Sequence, residues 1–486
     1  MLTSGLLQVG FAAAIGVALA ARLGGVLQYL FPIAALLTAV LIERRSLTGY
    51  LSFVVWLWML TPLVRRVADL QSGWHEPSLI LLAPYGATAY PAAREAMAAV
   101  VRSIRVWPRL EGLGLFVIAG IGAGLGIPLG LLMSPTTAIV ETLNWWVPIG
   151  LGAYIGVRAT DPEAVERALA RTLMYAALVV GAYALYQFEF APVWDTEWMN
   201  NVAMGSIGNA REFEVRVFST VHSPGVLGFA MLPAIILWVA RPRLRDFAAM
   251  ASATLALALS QSRAGWIALV VAALLVLWRI GARERRTVLA CVLFAGLCVA
   301  PFLVPTEVSD VTLSRFMTLL TPSEDTSAMS RARGHVEMFD VVRAHPLGLG
   351  MGVDDPDLAQ SIGPRDSMVV TTFVQFGIIG ATLYLLAMVA LLLRFVVYYR
   401  EAVTGEALAL ACLGIGALCV ALLGTYTAGP IGTYVWMSAG LATVRVRARM
   451  LATGDARAGS RPSTIIALRP AVAAGGVESA GTRGTT

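Results

Sequence analysis

Long apolar stretches separated by short polar turns dominate the chain up to about residue 444. Several stretches exceed the roughly 18 residues that a helix needs to cross a bilayer. Because backbone polar groups in lipid must be satisfied within the protein, these stretches predict helices, and they lack the period-two alternation of a membrane barrel. The pattern therefore predicts an all-α fold, a polytopic membrane helical bundle of about 12–14 transmembrane helices with a large extracytoplasmic loop.

The same pattern divides the chain into consecutive segments. We predict N-terminal transmembrane helices at 1–188, an extracytoplasmic loop at 189–223, central transmembrane helices at 224–303, a large extracytoplasmic loop at 304–366, C-terminal transmembrane helices at 367–444 and a disordered cytoplasmic tail at 445–486. The helix count depends on the apolar run Pro77–Ala93, which prolines interrupt. The tail is rich in Gly, Ala, Ser and Thr and cannot bury a core.

Arginine-rich turns set the predicted orientation in the membrane. The positive-inside rule places these turns in the cytoplasm: Arg241–Arg245, Arg279–Arg286, Arg394–Arg400 and Arg445–Arg449. They alternate with the spans, so the loops 189–222 and 304–365 fall outside, and Arg65 and Arg66 simply close the third span. Because orientation explains arginines at helix ends, the net charge of +6 does not indicate nucleic-acid binding.

Composition agrees with a membrane protein. The chain is 58% hydrophobic and 14% charged, with a mean hydropathy of +0.74, whereas a soluble domain is only about half apolar. The apolar run near the N-terminus is predicted to be a first span rather than a removed signal peptide. The cysteines lie inside apolar runs without a C-x-x-C motif, so we expect core residues and no metal site at Cys291, Cys298, Cys412 and Cys419.

Charged residues gather in the stretch Ser330–Gly380, immediately before and at the start of a long apolar run. Because ionisable groups near hydrocarbon are costly, such a gathering favours a ligand site. Arg331 and His335 are four residues apart and are expected to share a helix face. Arg331 suits a bidentate grip on a phosphate, and the alternative is an ion pair with Glu337 or Asp340.

Pro346 ends this predicted helix, and the sequence G-L-G-M-G after it predicts a flexible turn. Glycines allow a backbone to approach a phosphate, although helix termination explains them equally well. Arg333 lies off the face that carries Arg331. The residues alone do not distinguish substrate binding from a structural role for Arg333, His335 and His345.

Asp366 stands at the start of the predicted helix Ser367–Val397. A first-turn acid can cap a helix or complement its dipole, and the residues alone favour this interpretation. The alternative is a carboxylate at the membrane mouth that accepts a proton from a hydroxyl. The adjacent Arg365 is a further candidate for substrate binding.

The first extracytoplasmic loop and a later helix turn add candidates. Arg216, in R-V-F-S-T-V-H-S-P-G, suits either a juxtamembrane anchor or a second phosphate ligand. Arg263, in S-Q-S-R-A-G-W, lies at a tight turn and is expected mainly to hold a helix hairpin through carbonyl groups. Trp194 and Trp198 fit an interfacial aromatic belt, with sugar stacking as the less favoured alternative. Further candidates for substrate contact are Arg211 and His222.

Three of these motifs, taken in order, resemble the O-antigen ligase and O-antigen polymerase superfamily. They are R-V-F-S-T-V-H-S-P-G-V-L-G, S-Q-S-R-A-G-W, and Arg331 followed by P-L-G-L-G-M-G and a long helix reaching G-I-I-G, and together they cover roughly Arg211–Leu393. The resemblance implies a helical bundle with a large periplasmic loop over a cavity. It also implies glycan transfer from undecaprenyl diphosphate without a cofactor, a metal or a nucleotide sugar.

The resemblance assigns roles to particular residues. Arg216 and Arg331 fall on the arginines that are thought to hold the diphosphate in this superfamily, and His335 takes the place of a common aromatic residue. Ligases carry His-Asn where this chain has Asp366-Ser367. An aspartate at that position resembles the polymerase branch, in which Asp366 would act as the base.

The resemblance therefore implies a polysaccharide polymerase of the bacterial inner (cytoplasmic) membrane, with its active site facing the periplasm, that makes exopolysaccharide or O-antigen. Its substrate would be an undecaprenyl-diphosphate-linked oligosaccharide, and it would be surrounded by membrane lipid. Its partners would be a flippase and a chain-length regulator. Ligase transfer of a finished glycan is the alternative. From another class, a transporter or flippase is the alternative, but we find no internal repeat and no pair of broken helices.

Overall fold

The computed structural model describes residues 2–102, 112–202, 207–299, 326–352 and 367–459. Over these ranges the regular secondary structure is helical, and extended backbone pairs only in an isolated antiparallel bridge between Gly208 and Val215. The predicted all-α fold is therefore confirmed. Residues from Ala448 onward form a separate unit, of which the end of the last helix is described.

The N-terminal half contains α1 (Leu2–Ala20), α2 (Gly24–Glu43), α3 (Leu47–Ser72), α4 (Leu82–Arg102), α5 (Gly114–Gly124), α6 (Ile127–Met133), α7 (Pro135–Arg158), α8 (Pro162–Phe190) and α9 (Val193–Asn201). The C-terminal half contains α10 (Pro224–Ala240), α11 (Phe247–Ser260), α12 (Arg263–Arg279), α13 (Ala282–Val299), α14 (Thr326–Ala344), α15 (Met368–Glu401), α16 (Gly405–Cys419) and α17 (Gly429–Gly459). Short 3-10 turns precede α4 and α11.

Five helical segments of the described ranges are long and apolar enough to cross a membrane: α2, α3, the segment Gly114–Met133, α8 and α15. Shorter apolar helices are Ser4–Ala20, α10 and α16. A polytopic membrane protein is thereby confirmed, while the count of about 12–14 spans stays a prediction. Helix α8 starts at Pro162, where the preceding Asp161 caps it by accepting a hydrogen bond from the Ala164 N–H.

Glycines allow close contacts between helix backbones. A Cβ atom on Gly122 of α5 would lie 2.8 Å from the Gly380 carbonyl oxygen of α15, and a Cβ on Gly380 would lie 2.7 Å from that of Gly122. The two backbones therefore touch, which small residues permit in membrane bundles. This contact places α5 directly beside the helix that starts in the charged stretch.

Polar contacts join the predicted cytoplasmic turns to one another. Arg241 pairs with Glu406 at the start of α16, and Arg279 donates to the Arg400 carbonyl at 3.2 Å. Arg445 pairs with Glu166 of α8 at 3.0 Å, and Glu166 also accepts from Tyr398 of α15 at 2.7 Å. These turns therefore meet at one end of the bundle. The end of α8 and the starts of α10 and α15 lie at the opposite end.

Candidate functional site

The glycine turn after α14 is packed into the bundle, so the prediction of a flexible turn is corrected. Gly348, Gly350 and Gly352 all have positive φ, between 70° and 98°. A Cβ atom on each would meet protein backbone, that of Gly377, Gly130 and Thr137 respectively. The glycines thus admit neighbouring backbone, and α14 ends at Ala344, before the proline, as predicted.

The glycine turn supplies hydrogen-bond partners at a break in α15. Gly377 has φ 69° and ψ −175°, which interrupts the helix and separates the Val374 carbonyl from its normal partner, the Ile378 N–H. The turn supplies a new donor for this carbonyl and a new acceptor for this N–H. The Leu349 N–H donates to the Val374 carbonyl at 2.7 Å, and the Ile378 N–H donates to the Pro346 carbonyl at 2.9 Å.

The turn also meets a second helix break. The Met351 N–H donates at 2.9 Å to the carbonyl of Gly126, which lies between α5 and α6. The sequence showed no pair of broken helices, and the structure corrects this by placing two interruptions side by side around one turn. Exposed backbone groups at membrane depth must find partners inside the protein, and here the turn supplies them.

Helix α14 lies against the start of α15. Met338 of α14 packs with Val370 and Val374 of α15 in a small apolar cluster. Ser367 occupies the N-cap position of α15 but makes no side-chain capping bond. Its Oγ instead lies 3.1 Å from His335 Nε2, which forms a hydrogen bond between the two helices. The sequence had placed Asp366 at the helix start, whereas the N-cap is Ser367. Asp366 and Arg365 lie outside the described residues.

Two acids that the sequence offered as partners for Arg331 pair with other arginines. Arg333 Nε lies 4.0 Å from Glu337 Oε1, and Arg343 lies 3.5 Å from Asp340. Both arginine side chains are exposed, so these pairs contribute little to stability. The backbone of Arg331 lies on α14, one turn before His335, as predicted. His345 is exposed just after α14.

Arg216 makes carbonyl contacts of the kind that were predicted for Arg263. Its Nε donates to the Ser260 carbonyl at 2.8 Å and its Nη2 to the Gln261 carbonyl at 3.2 Å. The guanidinium is therefore held at the turn between α11 and α12, where Arg263 is the first residue of α12. Two of the three sequence motifs, far apart in the chain, thus touch. Arg211 is exposed in the preceding turn.

A buried ion pair, which the sequence did not reveal, fixes the loop beside Arg216. Arg66 of α3 is 2% exposed, and its Nε lies 2.8 Å from Asp195 Oδ1. Its Nη1 donates to the Val221 carbonyl at 2.7 Å. Burial raises the pKa of Asp195, and Arg66 opposes the shift. Burial, followed by the charge of Arg66, lowers the pKa of His222 to about 4, so this candidate is a neutral imidazole at neutral pH.

A second polar cluster surrounds Arg65, the residue directly before Arg66 on α3. Arg65 donates through Nε to Asp69 at 3.1 Å, its guanidinium lies 4.7 Å above the ring of Trp74, and it donates to the His75 carbonyl at 3.0 Å. The two arginines therefore organise the loops at this end of the bundle instead of merely closing a span. The available sequence signal was an acid four residues after an arginine, at Asp69.

These features define an α-helical membrane protein with a polar site built over interrupted helices. The family model described as O-Antigen ligase matches residues 247–385, from the start of α11 to the middle of α15. Over residues 247–385 the chain is therefore similar to the O-antigen ligase family, and the resemblance drawn from the motifs is confirmed. This match supports glycan transfer of the ligase or polymerase type on a lipid-linked glycan. No curated protein gives a significant match.

Proposed function

We propose that the protein is an inner-membrane polysaccharide polymerase that transfers glycan from an undecaprenyl-diphosphate-linked repeat unit to a sugar hydroxyl on the periplasmic side. One observation carries the proposal. Within the matched family domain, the His335–Ser367 hydrogen bond and the glycine turn hold α14, which bears Arg331, against the start of membrane helix α15. A polar helix held at the start of a membrane helix supports a role in binding the headgroup of a lipid-linked substrate.

The proposed reaction forms one bond and breaks one bond. The acceptor hydroxyl oxygen attacks the anomeric carbon of the donor, the bond from that carbon to the diphosphate breaks, and undecaprenyl diphosphate leaves with the bonding electrons. Negative charge grows on the leaving group, so positioned arginines lower the barrier. We assign this role to Arg331 and Arg216. Asp366 takes the proton of the acceptor hydroxyl.

The fixed position of Arg216 supports its assignment. A guanidinium that donates to two carbonyl groups through Nε and Nη2 has a defined plane, and a defined plane favours bidentate contact with a phosphate. The turn that holds it belongs to the same family domain as α14. Arg216 is thus tied to the domain although it lies before residue 247.

Ligase transfer of a finished glycan is the alternative within the class, and the family match is compatible with either reaction. The transporter alternative gains one observation, the paired helix breaks at Gly126 and Gly377. Protein backbone from the glycine turn occupies both breaks, whereas transporters use such breaks to hold substrate or ions. We therefore favour the transferase.

Arg331→Ala is the test, with Arg343→Ala as the matched control, because Arg343 is an exposed arginine on the same helix. Purified protein in lipid discs would be given a lipid-linked repeat unit, and the product lengths would be resolved by gel. A lost charge-assisted contact corresponds to roughly a tenfold to hundredfold slower transfer for Arg331→Ala, with normal transfer by the control. Transfer by both variants at the wild-type rate would refute the assignment. Products of a single addition to a foreign acceptor would indicate the ligase.

A further inference from the structure

A recess between the end of α3 and helix α9 is lined by aromatic and polar side chains that the proposed mechanism does not use. It is partly open and has a volume of about 120 Å³, so a ligand would enter only in part and keep one face towards solvent. Its walls include Asp69, Trp74, Trp194, Glu197, Trp198 and Asn201. The lining thus combines three indoles with two carboxylates and an amide.

The charges of the recess disfavour a phosphate. Arg66, which reaches one wall, is already paired with Asp195 at 2.8 Å. The neighbouring Arg65 is paired with Asp69 at 3.1 Å. Glu197 adds a further negative charge to the lining. The arginines are thus offset by carboxylates, and an anion would meet Glu197 without an uncompensated cation.

The Trp194 indole does not have the orientation of a membrane-interface residue. In an aromatic belt the polar edge of each indole faces water and headgroups. Here Trp194 Nε1 donates at 2.6 Å to the Tyr183 hydroxyl, which in turn donates at 2.9 Å to Asp195. Trp198 is 6% exposed and packs against Phe218. The polar edge of Trp194 is therefore bound inside the protein, while its side chain still lines the recess.

We propose that this recess binds a neutral pyranose of the lipid-linked glycan, either in the donor or in the acceptor chain. The C–H face of a pyranose is apolar and packs against an aromatic ring, while its hydroxyls donate to carboxylates and exchange hydrogen bonds with an amide. The lining offers both kinds of partner, with Glu197 and Asn201 exposed at the rim. The biological source of the sugar rests on the proposed function, whereas binding itself does not.

Saturation-transfer NMR on the full chain in lipid discs tests the binding, with methyl β-D-glucopyranoside and methyl α-D-mannopyranoside as probes. We expect saturation of at least one glycoside, no competition by inorganic diphosphate, and about twofold to tenfold weaker binding after Trp194→Ala, the range for one aromatic contact. Glu197→Gln, an exposed change that preserves shape, should also weaken binding. Trp278→Ala, which removes an 81% exposed indole elsewhere, is the matched control and should bind normally.

Wild-type binding by both recess variants, competition by diphosphate, or absence of any glycoside signal would overturn the inference. A transfer assay then separates it from the proposed function. A rise in KM for the donor alone identifies a donor sugar, and a rise for the acceptor alone identifies an acceptor sugar. Glycoside binding without any transfer by the wild type would refute the polymerase and leave the sugar site standing. Transfer without glycoside binding would refute the sugar site and leave the polymerase standing.

Discussion

Gly377→Ala tests whether the glycine turn and the break in α15 depend on each other. At Gly377 the backbone has φ 69° and ψ −175°, a region that is essentially restricted to glycine. A Cβ atom there would also meet the carbonyl group of Leu347 in the turn. The alanine variant must therefore either strain the break or push the turn away from α15.

The structure sets the size of the effect. Holding a non-glycine residue in this region costs about 1–3 kcal/mol. If the turn moves, the hydrogen bonds from Leu349 to Val374 and from Ile378 to Pro346 are lost, each worth about 1 kcal/mol. Either route weakens the docking of the turn by about 2 kcal/mol, which is roughly thirtyfold in its opening equilibrium.

Amide hydrogen exchange on the protein in detergent measures this opening directly. We expect the Leu349 and Ile378 amides to exchange about thirtyfold faster in Gly377→Ala. Gly120→Ala is the control, because Gly120 is a glycine of α5 at which a Cβ would meet no neighbour within 4 Å. Unchanged exchange at both amides in Gly377→Ala would show that the turn is not held by the break, and would remove the coupling on which the placement of α14 rests.

Further predictions concern the site and its loop. Ser367→Ala removes the bond to His335 and should slow polymer formation by about threefold to tenfold at normal protein levels; unchanged polymer would make the bond dispensable. Arg216→Lys should restore little of the activity lost in Arg216→Ala, because an ammonium cannot bind bidentately; full rescue on polymer gels would argue for a simple charge. Asp366→Asn should accumulate single lipid-linked repeat units, whereas wild-type polymer lengths would exclude it as the base. The pKa of His222 is lowered to about 4, so its contribution to stability is present above about pH 6.5 and is lost as the pH falls towards 4. In His222→Gln the thermal unfolding midpoint should therefore change less with pH over that window than in the wild type. An equal pH dependence in the two proteins would contradict this.

The helices were predictable because hydrophobic runs of membrane length have few alternatives. The structure confirms the all-α membrane fold, the helix that carries Arg331 and His335, and its end before Pro346. These features depend on local sequence, namely apolar length, helix spacing and a proline. The arginine-rich turns meet at one end of the bundle for the same reason, since alternation along the chain requires it.

Contacts between distant segments were not predictable from local pattern. Arg216 and Arg263 have similar settings along the chain, each beside a span, and only the fold shows that Arg216 reaches the Ser260 and Gln261 carbonyls. The glycine turn has the composition of a phosphate-binding or helix-ending segment. Its real neighbours, Gly126 and Gly377, lie in helices that the hydrophobic pattern reads as continuous.

The helix breaks explain why a mainly apolar bundle can hold a polar helix in a fixed position. Among the described side chains, the contacts between α14 and α15 include a small apolar cluster and the bond between His335 and Ser367. Unsatisfied backbone groups at a break have a larger effect on the free energy, since each group left without a partner in lipid costs several kcal/mol. By satisfying Val374 and Ile378, the turn after α14 becomes the required partner of the membrane helix. Separation of α14 from α15 would expose those groups, so the position of α14, which bears Arg331, depends on α15.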